Sequence, residues 1–360
     1  MGLQHLKEKT KTKMKTTTLK AIAAFGLTAL LAGSAAAQES KSKPVGYETL
    51  TVANGFNYLG LRLHEAPVVS NAAVGVAGAV VTVPDGIADA LQAGTSYLFE
   101  VVDGDALGAV VVIDSFDAVG DTVTVADAAL GNDFAGGDSF TIRPQASLAS
   151  VFGADNSAGL DAGFAGTGGA DQVWVPNGSG GFNKYYFDSF NATTSTATWT
   201  DADTLAPVAD AAAAYLFYAD GLIVVGDGND GNTFVVSGSV KLTATSYSLA
   251  NGFNYLSSVS PAGASLGSMF GEANAAGLSA GFAGTGGADQ VWIPAGGTFE
   301  KYYYDSFNAE TSSASWSSAD TLAAVDSTTV SLDDASGFII VNDGAAKMAN
   351  AAAPSFYSTL

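Results

Sequence analysis

The chain contains no cysteine in its 360 residues. This absence excludes disulfide bonds, thiolate metal sites, thiol catalysis and a lipid anchor attached through cysteine. Histidine is nearly as scarce, since only two occur and His64 alone lies beyond the first 37 residues. A Ser-His-Asp triad and a zinc site built from several histidines are therefore strongly disfavoured. Stability must come from a hydrophobic core, which the 48% of hydrophobic residues permits.

Basic residues are also few, with 14 Lys and Arg against 35 Asp and Glu and a formal net charge of −21. Six of the lysines and one glutamate fall within the first 20 residues, so the chain from residue 38 onward carries 8 basic and 34 acidic groups, a net charge of −26. A surface of this kind repels nucleic acid and anionic lipid, because both require clustered Lys and Arg. We therefore predict no nucleic-acid partner.

The N-terminal lysines are followed by a short apolar run over residues 21–31 and by three alanines at 35–37. A basic region, a short apolar region and an A-x-A site are typical of a secretory signal peptide. We predict a signal peptide over 1–37 and export to the periplasm, the cell surface or the medium. An uncleaved anchor is the alternative, but the apolar run is much shorter than the roughly 20 residues that span a bilayer. No transmembrane segment is expected in the mature chain.

The chain contains an internal duplication. Residues 159–176 and 277–294 are identical at sixteen of eighteen positions, at an offset of 118 residues, and the aromatic segments 184–192 and 301–309 continue the match. A repeat of this length indicates two homologous modules in tandem.

A second matched segment shows that the first module is interrupted. The hexapeptide at 54–59 recurs at 251–256, but the offset is 197 residues, so the first module is 79 residues longer. Five predicted short strands in the extra segment favour a small closed or half-closed barrel. We place module one at 38–67 plus 145–245, the inserted β domain at 68–144, module two at 246–350 and a tail at 351–360. Deletion of 68–143 is expected to leave a folded protein.

Strand-like alternation separated by Gly, Asp and Asn runs through both modules. The exceptions are two short helices, each expected to begin after a serine and to end at a glycine, near residues 148–152 and 266–270. We predict an all-β fold of two sandwich-like or barrel-like modules.

The strand Val45–Leu50, the segment Gly137–Pro144 and the tandem Tyr- and Trp-rich strands resemble a family of exported proteins from Verrucomicrobia-type bacteria. Where that family has Trp-Arg-Lys, this chain has Trp199-Thr200-Asp201 and Trp316-Ser317-Ser318. The resemblance implies export and tandem β modules, and it assigns no functional residue.

The repeated Gly166–Gly169 loop lacks the lysine of a phosphate-binding loop and leads into a strand, so a structural turn is favoured. Two repeat-matched pairs of acids, Asp171 with Asp289 and Asp188 with Asp305, are expected to bond loop amides. A hydrolase that uses two carboxylates is the alternative. We assign no catalytic residue.

Aromatic residues supply the candidate ligand site. We expect all four tryptophans in the core because of their size. Neighbouring tyrosines on a strand point to opposite faces, so each module must direct one outward or have it covered by another domain. Tyr186 and Tyr303 are the predicted ligand-binding residues.

Asp227, Asn229 and Asp230 resemble a calcium loop in composition, although Gly238 stands where an EF-hand has glutamate. A hairpin turn is favoured, with Ca²⁺ as the alternative. No other cofactor is predicted.

Three functions remain. The first is a non-catalytic exported structural or surface protein that self-associates through its β modules. The second is a carbohydrate-binding protein that uses outward aromatics, and the third is a carboxylate-based hydrolase.

Overall fold

The structure, a computed structural model, describes residues 44–227, 231–333 and 336–359. The expected signal peptide at 1–37 lies outside these residues. The described chain confirms the all-β prediction, because its only α-helices are two of five residues each. The strands are β1 (Val45–Val52), β2 (Gly55–Gly60), β3 (Val69–Ala72), β4 (Gly75–Ala77), β5 (Val80–Thr82), β6 (Tyr97–Val101), β7 (Val110–Asp117), β8 (Thr122–Val125), β9 (Ser139–Pro144), β10 (Ala146–Ser147), β11 (Gln172–Pro176), β12 (Phe182–Asn191), β13 (Thr196–Asp201), β14 (Tyr215–Leu216), β15 (Gly221–Gly226), β16 (Asn232–Ser239), β17 (Thr245–Leu249), β18 (Gly252–Ser257), β19 (Gln290–Ala295), β20 (Thr298–Asn308), β21 (Ser313–Ser318), β22 (Gly337–Asn342) and β23 (Lys347–Ala351).

Both modules have the same architecture. Module one has a five-stranded antiparallel sheet in the order β13-β12-β11-β15-β2, and module two has the corresponding order β21-β20-β19-β22-β18. A two-stranded pair accompanies each sheet, β1 with β16 and β17 with β23. In module one, Leu50 and Phe234 from the pair share a core with Val173 and Val175 from the sheet. Each module is therefore a small two-layer sandwich.

The helices are α1 (Leu148–Phe152) and α2 (Leu266–Phe270). Ser147 caps α1 through a reciprocal bond with Ser150, and Gly153 ends it at φ 85°, a conformation that favours glycine. Module two repeats this arrangement, which confirms the predicted pair of helices.

The largest fully buried side chains in the described chain are Trp199 and Trp316. The Trp199 indole packs on Phe152 and donates a hydrogen bond of 2.8 Å to the Gly153 carbonyl oxygen, which ties the sheet to the end of α1. Trp316 makes the same bond to Gly271 at 2.9 Å. The prediction that the tryptophans lie in the core is therefore confirmed for Trp199 and Trp316, but not for the other two tryptophans.

The insertion forms a sheet of its own. Its seven strands follow the order β3-β9-β6-β7-β8-β5-β4, and the two edge strands β3 and β4 are consecutive in the chain. Only Ala73 and Val74 separate them, and both donate backbone hydrogen bonds within the unit. The bend at these residues connects the two edge strands, which do not pair with each other in the described sheet, so the sheet curves as a half-barrel around a separate core that includes Phe99, Phe134 and Phe140.

Buried charges join the insertion to module one. The Glu100 carboxylate accepts hydrogen bonds from Arg143 Nε at 2.7 Å and from the Tyr218 hydroxyl at 2.6 Å. Arg143 also donates to Ser239 Oγ at 3.2 Å, and Lys241 is buried nearby. Burial raises the pKa of Glu100, but the charges of Arg143 and Lys241 outweigh it and hold this pKa at about 2. Removal of 68–143 would leave Tyr218 and Lys241 without this carboxylate, so we no longer expect the deletion to be tolerated.

The two modules pack against each other with reciprocal contacts. A Cβ atom on Gly221 would lie 2.6 Å from the Leu256 carbonyl oxygen, and one on Gly337 would lie 2.9 Å from the Leu59 amide nitrogen. Gly221 corresponds to Gly337, and Leu59 corresponds to Leu256. Equivalent residues thus exchange roles across the boundary, as in an isologous dimer. The inner edge strands β2 and β18 are therefore both covered within one chain.

The predicted tail is part of module two. Residues Ser355–Thr359 form a 3-10 helix, and Tyr357 is buried. Its hydroxyl accepts a hydrogen bond from the Ala262 amide at 3.2 Å and donates one to the Ala262 carbonyl oxygen at 3.1 Å. The module therefore continues to the end of the described chain.

Candidate functional site

The strand alternation of β11 places Trp174 on the outer face of the module-one sheet. Val173 and Val175 point into the core, whereas Trp174 is partly exposed and is paired across the sheet with Lys184. Trp292 occupies the same position in module two and is also partly exposed. The expectation that these two tryptophans are buried was wrong, because the strand has a solvent-facing side as well as a core side.

Trp174 belongs to a row of aromatic side chains. Its ring lies 5.7 Å from that of Phe56 and 5.8 Å from that of Phe182, measured between centroids. Phe182 then contacts Tyr255 of module two, with centroids 4.9 Å apart and an interplanar angle of 69°. Edge-to-face contacts of this kind are favourable for aromatic rings. The row therefore crosses the boundary between the modules.

The second half of the row is the counterpart of the first. Phe253 lies 5.4 Å from Trp292, which lies 5.8 Å from Phe299. Phe299 contacts Tyr58 of module one across the module boundary, with ring centroids 5.0 Å apart. Tyr58 on β2 and Tyr255 on β18 belong to strands that are in contact at the module boundary. Burial and the neighbouring Tyr255 phenol raise the pKa of Tyr58. We call the whole row the aromatic ribbon: Phe56, Trp174, Phe182, Tyr255, Tyr58, Phe299, Trp292 and Phe253.

The aromatic ribbon is open to solvent. Its outermost rings, Phe56 and Phe253, are 59% and 54% exposed, and the other six rings are partly exposed. Lys184 Nζ lies 5.0 Å from the Trp174 ring centre, and Lys301 Nζ lies 4.7 Å from that of Trp292. These lysine side chains are themselves about one-third exposed, so they can move aside without loss of core packing. This contiguous aromatic surface is the candidate interaction site.

Tyr186 and Tyr303 are not available to a ligand, so the predicted site residues were wrong. Both side chains are completely buried, because the repeated glycine-rich loop lies across them. A Cβ atom on Gly163 would lie 3.0 Å from the Tyr186 ring, which shows how close the loop runs. Each hydroxyl donates to an acid of its own strand, Asp188 or Asp305, at 3.0 Å. Burial and this bond raise the pKa of each tyrosine to about 12.

The same loop presents a second exposed aromatic feature. Phe164, 73% exposed, stacks on Phe190 with centroids 5.6 Å apart, and Phe282 stacks on Phe307 at the same distance in module two. Asp188 holds the first pair, because its Oδ1 accepts from the amides of Ala165 and Phe190. We refer to these as the two Phe pairs.

The other repeated acids also bond to backbone amides. Asp171 accepts from the amides of Asp161 at 2.9 Å and Asp227 at 3.0 Å. Asp289 makes the equivalent two bonds in module two and pairs with Lys347. The lone pairs of these carboxylates are thus engaged in holding loops, as expected from the sequence.

The candidate calcium loop is only partly described. The Asp227 carboxylate accepts from the Gly169 amide at 2.8 Å, whereas Asn229 and Asp230 lie outside the described residues. Elsewhere in the described chain, no group of three or more His, Asp or Glu side chains is arranged to hold a metal ion. Ca²⁺ at this loop stays a prediction.

A cleft of about 370 Å³ lies beside the aromatic ribbon, between the β11–β12 turn of module one and the edge of β18. Phe253 and Tyr255 of the ribbon line it, together with Asp220. Burial raises the pKa of Asp220 to about 7. No hydrogen bond or ion pair joins this carboxyl group to any residue that the structure describes.

Sequence reasoning missed six of the eight ribbon residues altogether and placed its two tryptophans in the core. A signal was present, because Phe56 and Tyr58 alternate on β2 and recur as Phe253 and Tyr255 on β18. In comparisons with family models, curated proteins and solved structures, none matched this chain. Across the described residues, every helix is too short or too polar to cross a membrane.

Proposed function

We propose that this chain is a non-catalytic exported protein that binds an extended polysaccharide along the aromatic ribbon. The continuity of the ribbon carries the proposal, because eight rings on two modules form one surface with an approximate two-fold relation. Sugar rings have apolar faces that pack on exposed aromatic side chains, and their hydroxyl groups bond to polar neighbours. Here such neighbours include Gln172 and Gln290, each of which accepts a bond from its tryptophan at 3.0 Å.

The length of the ribbon favours a polymer over a small sugar. Sugar units of a single polysaccharide molecule would contact both module one and module two. Once the first contact has formed, the second therefore forms at a high effective concentration. This arrangement predicts weak binding of monosaccharides and much tighter binding of long chains.

The test is affinity electrophoresis of the chain without residues 1–37 through gels that contain soluble polysaccharides, using Trp174→Ala, Trp292→Ala and the double variant. We expect each single variant to bind about ten-fold more weakly, a loss of roughly 1.4 kcal/mol, and the double variant to migrate as it does in a gel without glycan. Phe164→Ala with Phe282→Ala is the matched control, since it removes exposed aromatic rings outside the ribbon.

Full retention by the double variant, or no retardation of the wild-type protein by any polysaccharide, would refute the proposal. Release of reducing ends from a retained glycan would refute its non-catalytic part and favour the hydrolase alternative.

Self-association is the second candidate, and the two Phe pairs favour it. Their exposed faces are repeated on both modules, and an exposed apolar feature that occurs twice per chain can link molecules into larger assemblies. The net charge of −26 beyond residue 37 opposes contact at low ionic strength, so salt or Ca²⁺ should promote assembly. Light scattering across NaCl and CaCl₂ series tests this, with Phe164→Ala and Phe282→Ala expected to abolish assembly. A monomer under all conditions would exclude this candidate.

A further inference from the structure

The cleft beside the aromatic ribbon differs from its surroundings because it breaks the internal duplication. Asp220 precedes β15, and the residue that precedes the equivalent strand β22 is Ser336. Ser336 has a structural partner, since its Oγ accepts a hydrogen bond of 2.9 Å from the Gly60 amide. Asp220 has no such partner among the described residues, although it occupies the matching place in the fold. The acid is therefore specific to one module and is not required by the packing.

The walls of the cleft are otherwise uncharged. Asp220 is the one ionisable acid or base among its described lining residues apart from the phenol of Tyr255, and Phe217, Phe253 and Tyr255 supply aromatic surface. A half-buried carboxylate without a partner is unfavourable, which is why burial alone raises the pKa of Asp220. A bound cation would supply the missing partner. Aromatic walls also attract cations through their ring faces.

We propose that this cleft binds the ammonium group of an amino sugar that belongs to the polysaccharide on the ribbon. The inference rests on the proposed function, because Phe253 and Tyr255 are shared by the cleft and the ribbon. The volume of about 370 Å³ lies near the lower end of the range for ligand sites, roughly 300–1,000 Å³, and suits a single sugar unit. The net charge of −26 beyond residue 37 attracts a cationic polymer to the protein over longer distances.

Calorimetric titration with two matched probes tests the proposal. One probe is the hexamer of glucosamine, which carries ammonium groups, and the other is the hexamer of N-acetylglucosamine, which does not. At pH 6 we expect the wild-type chain to bind the glucosamine hexamer at least ten-fold more tightly. Asp220→Asn should reduce this ratio several-fold, to the residual preference that the net negative charge alone gives, and should reduce it far more than Asp114→Asn does. Asp114→Asn, on the exposed surface of the insertion, is the control for a general loss of negative charge.

A proton measurement separates a direct contact from a long-range charge effect. The ammonium group should drive ionisation of Asp220, so binding at pH 6 should release close to one proton per site, measured in buffers of different ionisation enthalpy. Asp220→Asn should abolish this release, whereas Asp114→Asn should retain it.

The outcomes distinguish this inference from the proposed function. Equal affinity of the wild type for both hexamers, with loss of binding in the Trp174→Ala and Trp292→Ala double variant, would overturn the amino-sugar site and support the ribbon. Binding of neither hexamer, together with Asp220-dependent binding of a lysine hexamer, would overturn the amino-sugar assignment in favour of a basic peptide. An unchanged preference in Asp220→Asn would overturn the role of the carboxylate.

Discussion

Replacement of Asp220 by asparagine should stabilise this protein, and the gain should depend on pH. In the folded chain the pKa of Asp220 is raised to about 7 from its usual value of 3.8 by burial. The unfolded chain therefore ionises at a lower pH than the folded chain does. Below about pH 4 the carboxyl is protonated in both states, so the wild type and the variant should have similar stability.

The difference should grow as the pH rises from about 4 to 7 and then remain constant. In this window the unfolded wild-type chain loses its proton while the folded chain retains it, which favours unfolding. A shift of about 3 pH units corresponds to roughly 4 kcal/mol at 1.36 kcal/mol per unit. Because Asp220 is partly exposed to the cleft, solvent screens its charge, and we expect about 2 kcal/mol. Asparagine has nearly the same shape and stays neutral throughout.

Urea unfolding of the two proteins at intervals between pH 3.5 and pH 8.5 measures this directly. The quantity to compare is the difference in free energy of unfolding, because the other titrating groups cancel in it. Asp220→Ser, which installs the residue of module two, should show the same rise in relative stability with pH. Its curve should lie below that of Asp220→Asn by a constant amount, because serine does not keep the shape of the aspartate side chain. A difference that is flat from pH 4 to pH 8, or that favours the wild type at high pH, would refute the reasoning about this carboxyl.

Three further predictions concern the supports of the fold. Glu100→Gln should lower the free energy of unfolding in urea at pH 7 by about 3–5 kcal/mol, because it leaves buried Arg143 and Lys241 without a counter-charge. The stability that the Glu100 carboxylate gives the wild type should fade as the pH falls from about 4.5 to 2. A loss below about 1 kcal/mol at pH 7 would contradict this prediction. Deletion of 68–143 should lower the melting temperature or cause aggregation, whereas a cooperative melt at the wild-type temperature would show that the junction is dispensable. Asp171→Asn and Asp289→Asn should each cost about 0.5–2 kcal/mol through lost amide bonds, with the larger loss for Asp289 because of its pairing with Lys347.

The local sequence was sufficient to predict the elements and their repetition. Alternating apolar residues indicated the strands, a serine and a glycine bounded each short helix, and the mismatch between two repeat offsets indicated where extra residues interrupt module one. These properties depend on neighbours in the chain, such as backbone conformation, capping and side-chain alternation. The repeated acids were likewise interpretable, because Asp171 and Asp289 bond to amides of adjacent loops.

The candidate site depended on tertiary structure. Strand alternation predicts that each strand has two faces. It does not predict that a loop more than 20 residues earlier in the chain covers Tyr186, whereas Trp174 on the same face remains partly exposed to solvent. The aromatic ribbon joins Phe182 to Tyr255 and Phe299 to Tyr58, residues brought together only by the packing of the modules. Whether a side chain is buried depends on what the rest of the chain places against it, and that information is absent from any local pattern.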